Sequence, residues 1–123
     1  MKKFRFQLET LLKVTRMKKD EAEVGFAEAS RLLEEQKRQL TVLLQEMQQG
    51  QRDYEGLTKV KHITVGTLMT YNSFFAWKRE QIEMQQQAIL QSRQNKQKKL
   101  RELMQVMNKL KSIEQLKEKR LQQ

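Results

Sequence analysis

The side chains that most often carry chemistry are scarce in this sequence. His62 is the only histidine and there is no cysteine. A transition-metal site needs several imidazole or thiolate donors converging on one point, and one histidine cannot supply them. Without cysteine there is also no disulfide framework, which fits a reducing compartment. Acid pairs such as Glu34/Glu35 fall on a solvated face, with nothing nearby to shift their proton affinity toward acid–base work. No glycine-rich loop precedes a helix to cradle phosphate. The methionines at 47, 69, 84, 104 and 107 are residues that fill gaps rather than bind cofactors. The expectation is a protein that is not an enzyme and holds no cofactor and no metal.

What the sequence does offer is charge and aromatic surface. Lys and Arg number 25 against 15 Asp and Glu, a formal net charge of +10. Residues 1–19 carry seven basic residues and one acid, whereas 20–62 carry six basic and nine acidic. Residues 63–92 balance, and 93–123 carry ten basic and three acidic. The first and last segments together hold +13, enough to attract an acidic surface in a salt-sensitive way. The aromatic residues Tyr54, Tyr71, Phe74, Phe75 and Trp77 sit mid-chain, where net charge is low. Two adjacent phenylalanines cannot both enter one seam. With Phe75 inside, Phe74 and Trp77 are left as anchors for a protein partner. The alternative is that they close a bend over Leu57 and Val60. Specific nucleic-acid recognition is disfavoured, because the basic stretches have no aromatic residue after Trp77 for base stacking.

Long helices must position these features. Proline, which breaks helix interiors, is absent, and Glu, Lys, Arg, Gln, Leu and Met propagate helices well. From Leu8, steps of four and three reach Leu12, Thr15, Lys19, Ala22, Phe26, Ala29, Leu33, Gln36, Leu40, Leu43, Met47, Gly50, Tyr54 and Leu57. That register lasts seven heptads without a stutter, which keeps one seam facing a partner helix. The pattern fails between Gly56 and Gly66, where β-branched residues cluster. Thr64 then reads as an N-cap, with Ile63 and Leu68 spaced as a hydrophobic staple.

A second stripe follows at Leu68, Tyr71, Phe75, Ile82 and Ile89, crosses the polar run 91–99, and resumes at Leu100, Leu103, Met107, Leu110, Ile113 and Leu116. The polar run is expected to be helical. The expected fold is all-α: a single domain over 1–123, forming a long antiparallel two-helix coiled-coil hairpin. Helix 1 spans about 4–57, the bend about 58–64 and helix 2 about 65–121, each helix roughly 80–90 Å long. Folding back places Leu8 near Leu116, Phe26 near Lys98 and Met47 near Trp77. An unbroken parallel dimer is the competing architecture, and a disordered polycation is disfavoured by the periodicity. No apolar run approaches the roughly 20 residues of a membrane span, and Gln7, Glu9 and Thr10 interrupt any signal-like segment. A cytoplasmic, monomeric hairpin is expected.

Two segments resemble a known family. The opening FRFQLETLLKV resembles the N-terminal signature of flagellar FliJ proteins, where Phe-x-Phe-x-Leu-Glu leads into a Leu-Leu pair. The restart ITVGTLMTYNSFFAWK resembles that family's segment after the bend, through Thr64, Val65, Leu68, Tyr71, Asn72, Ser73 and Phe74. The resemblance implies a hairpin similar to the central stalk of rotary ATPases, working in the flagellar type III protein export apparatus. Its implied partners are the hexameric export ATPase, which receives the end carrying both termini, the cytoplasmic part of the export gate membrane protein, and export chaperones. Location on the cytoplasmic face of the cell membrane follows from those partners. With the basic pole, it points to Lys2, Lys3, Arg5, Lys109, Lys111, Lys117 and Arg120 as ring contacts. Met47, Tyr54, Tyr71, Phe74, Trp77 and Lys78 are candidates for gate or chaperone contact. Tyr54 and Phe74 match aromatic places on the family's gate-binding face, whereas Lys78, Gln81 and Gln85 stand where apolar or aromatic residues are more usual. The equivalent stalk of a virulence type III system is the alternative. A basic binder of nucleic acid or membrane surfaces is a third reading.

Overall fold

The computed structural model describes residues 2–60 and 63–122. Lys61 and His62, in the expected bend, lie outside the described residues. Two helices account for nearly all the rest: α1, Lys2–Thr58, and α2, Val65–Gln122. They pack against each other antiparallel, and no strand occurs among the described residues. The run 91–99 is helical throughout.

The helix ends follow from local chemistry. After Gly56 the chain tightens: the Thr58 hydroxyl donates to the Glu55 carbonyl at 2.8 Å and the Val60 amide to the Leu57 carbonyl at 3.1 Å. At the start of α2 the Thr64 hydroxyl accepts from the Thr67 amide at 3.1 Å, and the Thr64 carbonyl accepts from the Leu68 amide at 3.2 Å. Thr64 is thus the N-cap, satisfying one of the amides that a helix start leaves unpaired.

The chain divides into two compact units. A terminal unit comprises Met1–Arg31 with Arg93–Gln123, and a turn unit comprises Leu32–Ser92. In the terminal unit Leu8, Leu12, Leu110 and Ile113 form an apolar cluster, with Phe4 packed against it. Thr15 is only 1% exposed, its hydroxyl donating to the Leu11 carbonyl at 2.7 Å. Fully burying a leucine or isoleucine side chain stabilises by about 1.5–3 kcal/mol, so these few positions dominate that unit. The turn unit buries Leu33 and Ile89. Elsewhere in that unit Leu40, Leu43, Met47, Leu57 and Ile82 are half-buried.

Every seam position expected on α1, from Leu8 to Leu57, is buried or half-buried. The stripe expected on α2 needs correction in its second half. Leu100, Met107 and Leu116 are exposed flanking residues, whereas Lys99, Leu103, Val106, Leu110, Ile113 and Lys117 are buried or half-buried. The alternating three- and four-residue steps that start at Leu68 therefore pass through Lys78, Gln85, Ser92, Lys96 and Lys99 without interruption. Lysine can occupy a seam because its four-carbon stem covers apolar surface while the ammonium reaches outward. A search for apolar residues alone breaks the register exactly where lysine carries it. The expected cross-helix pairs shift accordingly. Phe26 meets Lys96, at 5.8 Å from ammonium to ring, and a Cβ on Gly25 would lie 3.8 Å from the Lys99 side chain.

Candidate interaction surfaces

The terminal unit holds the whole charge excess. It contains 18 Lys and Arg against 8 Asp and Glu, while the turn unit contains seven of each. Within the terminal unit the excess is unevenly placed. The basic run Arg93, Lys96, Lys98, Lys99 and Arg101 lies along the α1 stretch that carries Asp20, Glu21, Glu23 and Glu28, as the Phe26–Lys96 and Gly25–Lys99 approaches establish. The expected +13 pole is therefore partly neutralised in place. Residues 1–19 and 102–123, beyond that stretch, hold +8.

Lys2, Lys3, Arg5, Lys109, Lys111 and Arg120 are exposed, and Lys117 is half-buried. Among the described residues none of these seven belongs to an ion pair within 4 Å. Arg120 stacks on the Phe4 ring at 4.0 Å, a cation–π contact that holds the guanidinium while leaving its N–H groups free to donate. The pair Arg16–Glu114, 3.5 Å apart and about half exposed on both sides, bridges the two helices. Phe6 is 73% and Leu121 63% exposed, so the unit presents apolar surface among its cations.

In the turn unit the aromatics pack on one another. Tyr54 meets Tyr71 at 5.6 Å and Phe75 at 6.0 Å between ring centroids, and Phe74 meets Phe75 at 5.5 Å. Phe74 lies over Gly50, where an added Cβ would come within 2.4 Å of its ring edge. These rings close the helix pair over Gly50 and Tyr54 and leave Val60 58% exposed. Of the six expected gate or chaperone contacts, Met47, Tyr54, Tyr71 and Phe74 are half-buried and Trp77 is 55% exposed. Lys78 is only 5% exposed. Its ammonium pairs with Glu46 and lies 5.0 Å from the Trp77 ring and 5.7 Å from the Phe74 ring. It is committed to the seam, and Trp77 is the aromatic presented outward.

Three features escaped the sequence reading. Glu46 as the partner of Lys78 was findable, because the two stand at mirror positions about the bend. Gln85 spans the seam, donating to the Gln36 carbonyl at 2.9 Å. Its neighbour Gln81 has a buried side-chain oxygen with no hydrogen-bond partner. Gln81 also borders an open groove between the helices, lined by Gln39, Val42, Leu43, Met84 and Ala88. No periodicity signals a groove of this kind, which depends on small and polar residues flanking the seam.

A family model described as flagellar FliJ protein matches residues 4–123, nearly the whole chain. The chain belongs to the FliJ family. It is thus a flagellar protein connected with export, and the two segments that resemble FliJ both lie inside the matched range. No curated protein and no solved structure matches it. No helix among the described residues is long and apolar enough to cross a membrane. No group of three or more His, Cys, Asp or Glu among them could hold a metal ion.

Proposed function

We propose that this FliJ-family chain is the stalk of the flagellar export ATPase: its terminal unit enters the ATPase ring and its turn unit meets the export gate and export chaperones. The reading rests above all on the segregation of charge, with the full +10 in the terminal unit and none in the turn unit. An unpaired cationic surface steers encounter with an acidic partner, and the steering weakens as salt screens it. Lys2, Lys3, Arg5, Lys109, Lys111, Lys117 and Arg120 are the ring contacts in this proposal. Exposed Phe6 and Leu121 supply the packing that holds the complex once formed. In the turn unit, Trp77 and the groove beside Gln81 give a second partner an aromatic anchor and a partly apolar cleft. Met47, Tyr54, Tyr71 and Phe74 support that surface from behind. Engagement of the gate would hold the chain at the cytoplasmic face of the cell membrane, without any span of its own.

The test is a charge reversal. Changing Lys2, Lys3, Lys109 and Lys111 together to Glu moves the net charge of the terminal unit from +10 to about +2 while touching no buried side chain. Ring binding and stimulation of ATP hydrolysis should fall sharply, with helicity unchanged. Full stimulation at about 150 mM salt would overturn the proposal. Binding that survives reversal but vanishes with nuclease would point to nucleic acid.

A further inference from the structure

The α2 seam is unlike the α1 seam. Along α1 the seam row from Leu8 to Leu57 holds a single lysine, Lys19, among residues such as Leu8, Leu12, Leu33, Leu40, Leu43 and Met47. Along α2 the corresponding row contains Lys78, Gln85, Ser92, Lys96, Lys99 and Lys117. Each polar side chain for which the structure gives a cross-helix contact meets something on α1 that accommodates it. Lys78 meets Glu46, Gln85 meets Gln36, Lys96 meets the face of Phe26, and the stem of Lys99 crosses Gly25. The α1 stretch Asp20–Glu28 carries four acids, and the α2 run along it, 93–101, carries five cations and no acid. No ion pair within 4 Å joins these two stretches among the described residues, so they attract through their summed field.

Now bring two copies together in parallel, α2 on α2 and in register. Lys78, Lys96, Lys99 and Lys117 would each face themselves across a half-buried seam, and five cations would lie along five. Charged or polar residues at seam positions are known to decide partner and register in coiled coils. We propose that the seam lysines of α2 set this chain's choice of partner: they make α2 pair with its own α1 and bar it from a second α2. The inference is independent of which proteins the two units bind. A swapped dimer keeps the same contacts but gains nothing from them. The six residues between Thr58 and Val65 already hold the two helices at high effective concentration.

The experiment uses the full chain. Sedimentation equilibrium compares the native sequence with Lys78→Leu/Lys96→Leu/Lys99→Leu and with the charge-keeping Lys78→Arg/Lys96→Arg/Lys99→Arg, from about 5 to about 200 µM. The native chain and the Arg variant should be monomers throughout. The Leu variant should dimerise, with self-association strengthened tenfold or more. Helicity by circular dichroism should be alike in all three, since leucine at a seam does not unfold it. A native chain that dimerises in this range overturns the proposal. So does a Leu variant that stays monomeric, and so does an Arg variant that dimerises like the Leu variant.

Discussion

Two glycines of α1 should respond in opposite directions to the same substitution. Gly50 and Gly56 are both helical. Glycine inside a helix costs roughly 0.8–1.0 kcal/mol relative to alanine, so Gly→Ala begins with that gain at either position. At Gly56 nothing lies within 4 Å of an added Cβ, and the gain should appear as about 0.5–1 kcal/mol of extra stability. At Gly50 the Cβ would lie 2.4 Å from Phe74 Cε1, 3.2 Å from Cζ and 3.3 Å from Cδ1. Carbon atoms sit comfortably at about 3.5–4.0 Å, so the ring edge must retreat by more than an ångström. It is a rigid ring, packed on Phe75 and lying beneath the Lys78 ammonium. Overpacking of this kind costs about 1–3 kcal/mol. Set against the helix gain, Gly50→Ala should destabilise by roughly 1 kcal/mol. Urea denaturation followed by far-UV circular dichroism measures both variants. Adding Phe74→Leu to Gly50→Ala should recover much of the loss, with a coupling of about 0.5–3 kcal/mol. If Gly50→Ala stabilises as much as Gly56→Ala, the close approach of Phe74 to the α1 backbone is refuted.

Other substitutions test the remaining contacts. Leu12→Ala, at a site 2% exposed, should cost about 2–5 kcal/mol, whereas Leu11→Ala, at 42% exposure, should cost much less in the same denaturation experiment. Glu46→Ala leaves the Lys78 ammonium in the seam without its carboxylate and should lower stability by roughly 1–3 kcal/mol, while Glu46→Asp should recover part of that. Thr64→Ala should cost about 1 kcal/mol through loss of the cap, and Thr64→Asp should not, as thermal unfolding would report. Breaking the exposed Arg16–Glu114 pair with Glu114→Gln should change stability by less than about 1 kcal/mol, with the residual effect disappearing in high salt.

Much of the fold was legible because two signals agreed: the absence of proline and a seven-heptad register on α1 that every seam position honours. The cap at Thr64 was legible for a similar reason, since a short hydroxyl ahead of a helical run has one favoured use. The second half of α2 was misread where lysine, serine and glutamine occupy the seam. An apolar-only pattern cannot distinguish a lysine whose stem is buried from one that is wholly solvated, and it therefore shifted to Leu100, Met107 and Leu116. Charge segregation could be counted from the sequence, but not its local cancellation. That Lys96 and Lys99 lie along an acidic stretch of α1 depends on register, which composition does not carry. The Lys78–Glu46 pairing, by contrast, could be read from their mirror positions about the bend, whereas the burial of the lysine could not.

The unequal seams also bear on synthesis. Translation delivers α1 first, and its apolar seam, with Leu8, Leu12, Ala29 and Leu33, is complete before α2 begins. Until residues beyond about Ser92 have left the ribosome, Leu8, Leu12 and Ala29 lack the α2 segment that covers them in the terminal unit. The nascent chain is therefore stickiest when half made, and α2 then brings both the apolar cover, Leu103, Leu110 and Ile113, and the seam lysines interspersed with it. A ribosome stalled near the bend should expose a leucine seam that chaperones recognise, whereas release of the full chain should remove it.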